Sequence, residues 1–90
     1  IKPQFEAGRE RVGKKGVVRD PAVLEDVLRA FLTCAEQLGF TVRALTYSPV
    51  KGPEGNIEFL GHLSLAPGQS VQPDVHALVS AAHEALKGTP

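Results

Sequence analysis

The sequence predicts an α/β protein, part of an open sheet, built in the order strand end, helix, antiparallel hairpin pair, helix. Three observations carry that prediction. Leu24, Val27, Leu28, Phe31, Ala35 and Leu38 recur at helical spacing between an extended start at Ile1-Lys2 and the β-branched, aromatic run FTVRALTYS at 40–48. A second strand-like run, IEFLGHLSL at 57–65, follows a loop dense in Pro and Gly. Val75, Leu78, Val79, Ala82 and Leu86 then form a last helical stripe.

Taken in order, Ile1-Lys2-Pro3 reads as a strand near its end. Residues 7–19, AGRERVGKKGVVR, hold three glycines and no helical stripe, which predicts a mobile loop. Asp20-Pro21 supplies an N-cap and a proline at the first helical position. Gly39 supplies the left-handed stop, with Phe40 folding back on the last turn, and Cys34 at the edge of the stripe is expected to pack. Ser48-Pro49 ends the next strand, and Val50 to Asn56 forms the connecting loop. On the 57–65 strand, Ile57, Phe59, Gly61, Leu63 and Leu65 share one face, and Glu58, Leu60, His62 and Ser64 the other. Residues 66–73, APGQSVQP, are a linker to the final helix, which Gly88 stops.

Ninety residues make at most one small domain, burying roughly 60–65% of the unfolded surface. Apolar content and balanced charge exclude a disordered tail, and no apolar run is long enough for a membrane-spanning helix. No charged-then-apolar leader opens the chain. The single Cys34 makes no internal disulfide, which fits a reducing cytoplasm. The sequence has no Met and opens on a strand end, so a piece of a longer protein is expected, with an open sheet edge through which it could self-associate.

Charge is zero overall but unevenly spread. Residues 1–20 carry six basic side chains against three acids, and the remaining seventy carry four against seven. A basic segment on a neutral chain can mark a polyanion-facing surface, but for a run this short a solvated loop is the leading reading.

Topology adds a placement. A strand–helix–strand unit takes a right-handed crossover and a parallel pair. The Lys2 strand and the 40–48 strand then run the same way, and the 57–65 strand runs opposite. The start of that third strand, with Glu58, falls at the carboxyl edge of the parallel strands, where open α/β sheets bind ligands. If it inserts between the other two, Lys2 and Glu58 become neighbours.

Those residues also carry a resemblance. IKPQFEAGRE, VGKKGVVRDP and SPVKGPEGNIEF, in this order and spacing, resemble the C-terminal part of the TlyA/hemolysin A family of FtsJ-like ribose 2′-O-methyltransferases. Beyond about residue 66 the likeness is one of layout. The resemblance implies the C-terminal portion of a Rossmann-like methyltransferase sheet: the end of the fifth strand, the sixth, and the antiparallel seventh inserted between them. It implies S-adenosylmethionine as cofactor, bound outside these residues, and ribosomal RNA as partner, in the cytoplasm. Of the Lys–Asp–Lys–Glu tetrad around the ribose 2′-hydroxyl, it places the second lysine at Lys2 and the glutamate at Glu58. The first lysine, the aspartate and the glycine-rich cofactor turn fall before Ile1. Arg9, Arg11, Lys14, Lys15, Arg19 and Lys51 are the residues it turns toward RNA.

The chemistry suits these residue types. A ribose hydroxyl is a weak nucleophile and must lose its proton as it attacks the methyl sulfonium. A lysine of lowered pKa can take or steer that proton, and a neighbouring glutamate can orient the ammonium. Singly, Lys2 is an ordinary surface lysine and Glu58 an exposed strand residue; together at one sheet edge the catalytic role is stronger. The histidines do not compete: His76 and His83, seven apart, are too far for one metal, His62 is alone, and no Cys/His spacing suits zinc. Two alternatives are a membrane-active hemolysin, for which neither helix has the Lys/Arg-rich polar face, and a noncatalytic RNA-binding module, which lacks interleaved aromatics.

Overall fold

The computed structural model describes residues 1–13 and 16–89. Helices α1 (Pro3–Glu6), α2 (Pro21–Gln37) and α3 (Val75–Leu86) accompany strands β1 (Thr41–Tyr47) and β2 (Phe59–Ser64), with 3-10 turns at Arg9–Arg11 and Pro53–Gly55.

Helix α2 begins as its sequence dictates. Asp20 Oδ1 accepts from the Ala22 amide at 2.9 Å, with Pro21 in the first turn where no donor is required. It ends in a Schellman turn: Gly39 has φ +87°, its amide bonds Glu36 O, and the Phe40 amide bonds Ala35 O, both at 3.0 Å. Val23, Leu24, Val27, Leu28 and Ala35 are buried. The expected stripe stops there. Leu38 caps the helix and is 67% exposed. Cys34, expected to pack, is exposed, because it sits about 100° around the helix from buried Ala35.

Strands β1 and β2 pair antiparallel, from Tyr47↔Phe59 to Thr41↔Ser64, with a bulge between Val42 and Ala44. Both are shorter than the expected 40–48 and 57–65; Leu65, off the end of the ladder, is 75% exposed. The inner face carries Ile57 and Phe59 into a core with Val18, Val23, Leu24, Leu28, Val75, Val79, Ala82 and Leu86. Phe59, Leu24 and Leu28 are completely buried, each stabilising the fold by roughly 1.5–3 kcal/mol. Gly61 lies under the Phe31 ring, where an added Cβ would come within 2.7 Å of Cζ. The missing side chain lets α2 press against β2.

The 66–73 linker folds back along the outer edge of β1. Val71 N donates to Val42 O and Val42 N to Ser70 Oγ, both at 2.9 Å, and Thr41 Oγ1 donates to Ala66 O at 3.2 Å. It therefore occupies the start of the sheet edge expected to be open for self-association. Asp74 Oδ1 then caps α3 by accepting from Ala77 N at 2.9 Å.

One expectation needs correcting. The 7–19 segment is not free of the core, because Val17 and Val18 are buried at its second end. A pair of adjacent apolar residues has no periodicity to signal burial. Lys14 and Lys15 of that segment lie outside the described residues.

Candidate active site

The extended start of the chain and β2 exchange a reciprocal pair of backbone hydrogen bonds. The Ile1 amino group donates to Phe59 O at 2.7 Å, and the Phe59 amide donates to Ile1 O at 3.1 Å. Lys2 keeps an extended backbone (φ −116°, ψ 91°) before Pro3 opens α1. Thus β2 lies between the Ile1-Lys2 segment and β1, antiparallel to both, and the outer two are parallel. This is the insertion on which the expected meeting of Lys2 and Glu58 was conditional.

Register now fixes neighbours. With Ile1 opposite Phe59 in a hydrogen-bonded pair, Lys2 stands opposite Glu58 in the adjacent non-bonded pair, with Cβ atoms expected roughly 4.5–5.5 Å apart on one face. Both occupy the end of the sheet where β1 leaves and β2 enters; Ser48 N donates to Glu58 O there at 2.8 Å. The Lys2 side chain is exposed. Lys2 and Glu58, opposite in register, do not form one of the ion pairs found at Arg11–Asp26, Arg29–Glu25 and His76–Glu25.

The Glu58 carboxylate is presented one-sidedly. Its Oε2 is sealed from solvent and has no hydrogen-bond partner. Gly52 closes over it: a Cβ there would lie 2.6 Å from Glu58 Cδ. The Gly52 loop is a tight closure, with Gly52 N bonding Asn56 O at 2.7 Å and Gly55 N bonding Gly52 O at 3.1 Å. Glu54 and Gly55 take left-handed φ of +61° and +88° to make the turn.

Asn56 is the residue that sequence reasoning missed. It is 2% exposed, its Oδ1 accepts from Val18 N at 2.9 Å, and its Nδ2 donates to Gly16 O at 2.8 Å. One side chain thus ties the end of the 7–19 segment to the loop that precedes Glu58. Its partners lie 38 and 40 residues away, and no local pattern announces such a bridge; a buried Asn beside glycines is the only faint signal.

The basic residues are divided. Arg9 is exposed, and Arg11 reaches α2 through a 2.7 Å pair with Asp26. Arg19 and Lys51 line one open cleft of about 800 Å³ together with Glu54, His83 and Thr89. Lys51 Nζ donates to Thr89 O at 3.0 Å. Among the described residues no group of His, Cys, Asp and Glu could hold a metal ion, and no helix is long and apolar enough to cross a membrane.

Residues 1–65, which include the whole of this edge, match the sequence profile of the FtsJ-like methyltransferases. The chain belongs to the FtsJ-like methyltransferase family. Among its FtsJ-like relatives, the rRNA methyltransferase candidate YqxC of Bacillus subtilis is 45% identical over 97% of the chain. The 16S/23S rRNA (cytidine-2′-O)-methyltransferase TlyA of Mycobacterium tuberculosis is 33% identical over the full chain. The chain spans 33% of the length of each of these proteins. The fold is shared with a hemolysin candidate from Streptococcus thermophilus, at a TM-score of 0.86 and 43% identity, covering 97% of this chain and 32% of that one. The partial Rossmann-like sheet expected from the motifs is therefore the family's own.

Proposed function

We propose that this chain is the C-terminal part of an rRNA ribose 2′-O-methyltransferase, in which Lys2 and Glu58 act on the ribose hydroxyl and the basic segment faces RNA. What supports this reading is the backbone pairing of Ile1 with Phe59, from which Lys2 and Glu58 are opposite in register at one sheet edge. Lys2 takes or steers the proton leaving the 2′-hydroxyl; Glu58 orients Lys2 and holds the local charge balance. S-adenosylmethionine supplies the methyl group in this chemistry. None of the residues 1–90 is assigned to hold the cofactor, and the 1–90 piece alone is expected to be inactive. The reaction takes place in the cytoplasm.

Arg9, Arg11, Lys14, Lys15, Arg19 and Lys51 neutralise phosphates along the RNA backbone. Replacing several of them with Ala weakens RNA binding across sequences and flattens its salt dependence; an unchanged salt slope removes them from the interface. The deciding experiment is methyl transfer to rRNA by the intact protein. Lys2→Ala is expected to bring it close to background. Glu58→Ala is expected to cost about 10- to 1000-fold, as an orienting group one step from the bond being made. Both variants keep cofactor affinity and folding. Full activity in either one sinks its assigned role.

A further inference from the structure

We infer that Gly52 is a positioning residue for Glu58, placed so that the loop at 52–56 can close on the carboxylate and leave only one oxygen available to the reacting edge. The inference rests on the role given to Glu58 above. Three observations carry it. Glu58 Oε2 is buried without a partner while the side chain as a whole is only half-buried, so the remaining oxygen is the one open to the outside. A Cβ at Gly52 would stand 2.6 Å from Glu58 Cδ and 3.1 Å from Cγ, its nearest neighbours all being atoms of that one side chain. The loop itself is anchored at both ends, by the Gly52–Asn56 backbone bond and by the two Asn56 side-chain bonds to residues 16–18.

That combination locates the cost of a larger residue. Gly52 does not have a left-handed φ, so alanine is tolerated by the backbone. Because the loop is pinned and the carboxylate is the end of a flexible side chain, it is Glu58 that moves. The shift changes where the charge sits relative to Lys2 without opening the core, which lies on the other face of β2.

The test is Gly52→Ala in the intact protein, with rRNA methylation, cofactor affinity and thermal unfolding measured together. The expected result is a fall in kcat of about 10- to 100-fold, as for a displacement near 1 Å, with KM for rRNA and cofactor affinity little changed. Glu58→Asp, shorter by one methylene, should recover part of the loss when combined with Gly52→Ala. In a Glu58→Ala background, Gly52→Ala should add nothing. Unchanged kcat in Gly52→Ala, beside a damaged Glu58→Ala, overturns the positioning role alone. The same penalty with and without the Glu58 carboxylate overturns it also, as a loop defect. Full activity in Glu58→Ala overturns both this role and the one assigned to Glu58. If Gly52→Ala lowers the Tm, recovery by Glu58→Asp decides: Tm and kcat returning together locate the fault at the carboxylate, and no recovery overturns the inference.

Discussion

The two ends of the β1–β2 hairpin are closed in opposite ways. At the Thr41/Ser64 end, the linker lies along β1 and is tied to it by three hydrogen bonds: Val71 to Val42, Val42 to Ser70, Thr41 to Ala66. At the Glu58 end, the loop turns through two consecutive left-handed residues and seals a carboxylate oxygen that has no partner at all. Buried polar groups are nearly always paired, and the exceptions collect where a protein does something. The first end is built to stay shut. The second seals one oxygen of a carboxylate and leaves it without a hydrogen-bond partner.

Asn56 gives the largest expected effect and the sharpest test of that difference. It belongs structurally to the functional end yet behaves like the other end, with both side-chain groups satisfied in the interior. Asn56→Ala leaves the Val18 amide and Gly16 carbonyl without these partners and should destabilise the protein by roughly 2–4 kcal/mol. Activity should fall further than stability explains, since the loop over Glu58 loses its anchor. Chemical denaturation of the intact protein, compared with methylation measured well below the Tm, separates the two. A stability loss with unimpaired methylation would make Asn56 a core residue and nothing more.

Ser70→Ala probes the closed end. It removes the acceptor of the Val42 amide at the sheet edge, for an expected loss of about 1 kcal/mol. Methylation per folded molecule should not change, because residue 70 joins the end of the sheet away from Lys2. If it does change, the two ends are coupled and the contrast between them fails.

What was legible in the sequence follows the same division. The cap at Asp20, the stop at Gly39 and the antiparallel pairing of β1 with β2 rest on local signals, and each is present, the strands shorter than expected. The opposition of Lys2 and Glu58 was legible only conditionally: crossover handedness set the strand directions, and the pairing of Ile1 with Phe59 in the folded chain supplied the strand order. The expectations that failed depended on what packs on what. Val17-Val18 looked like part of a loop and enters the core; Cys34, at the edge of the stripe, turns away from buried Ala35, and Leu38 lies at the exposed cap of the helix. Gly52 looked like turn punctuation, and only the folded chain brings Glu58 beneath it.

A third region sharpens the comparison by having neither a sealed charge nor a closed backbone ladder. Glu25 on α2 lies 2.9 Å from His76 Nδ1 on α3 and accepts from Arg29 at 3.1 Å, at the surface. The His76 hydrogen bond, against some opposing burial and with help from Arg29, holds the Glu25 carboxyl below its ordinary value of 4.5. A carboxylate depressed in the folded state adds stability that is complete above the ordinary value and is lost as pH falls through the lowered one. His76→Ala removes the largest cause, so its Tm should sit slightly below the parent above the ordinary carboxylate value, and the gap should close as the pH falls below it through the lowered one. Added salt should shrink the gap, as for any exposed pair. Methylation should be untouched, because the pair bridges α2 and α3 and touches neither Lys2 nor Glu58. A gap that stays constant on acidification would mean His76 acts through packing, and the α2–α3 contact would then owe nothing to the Glu25 charge.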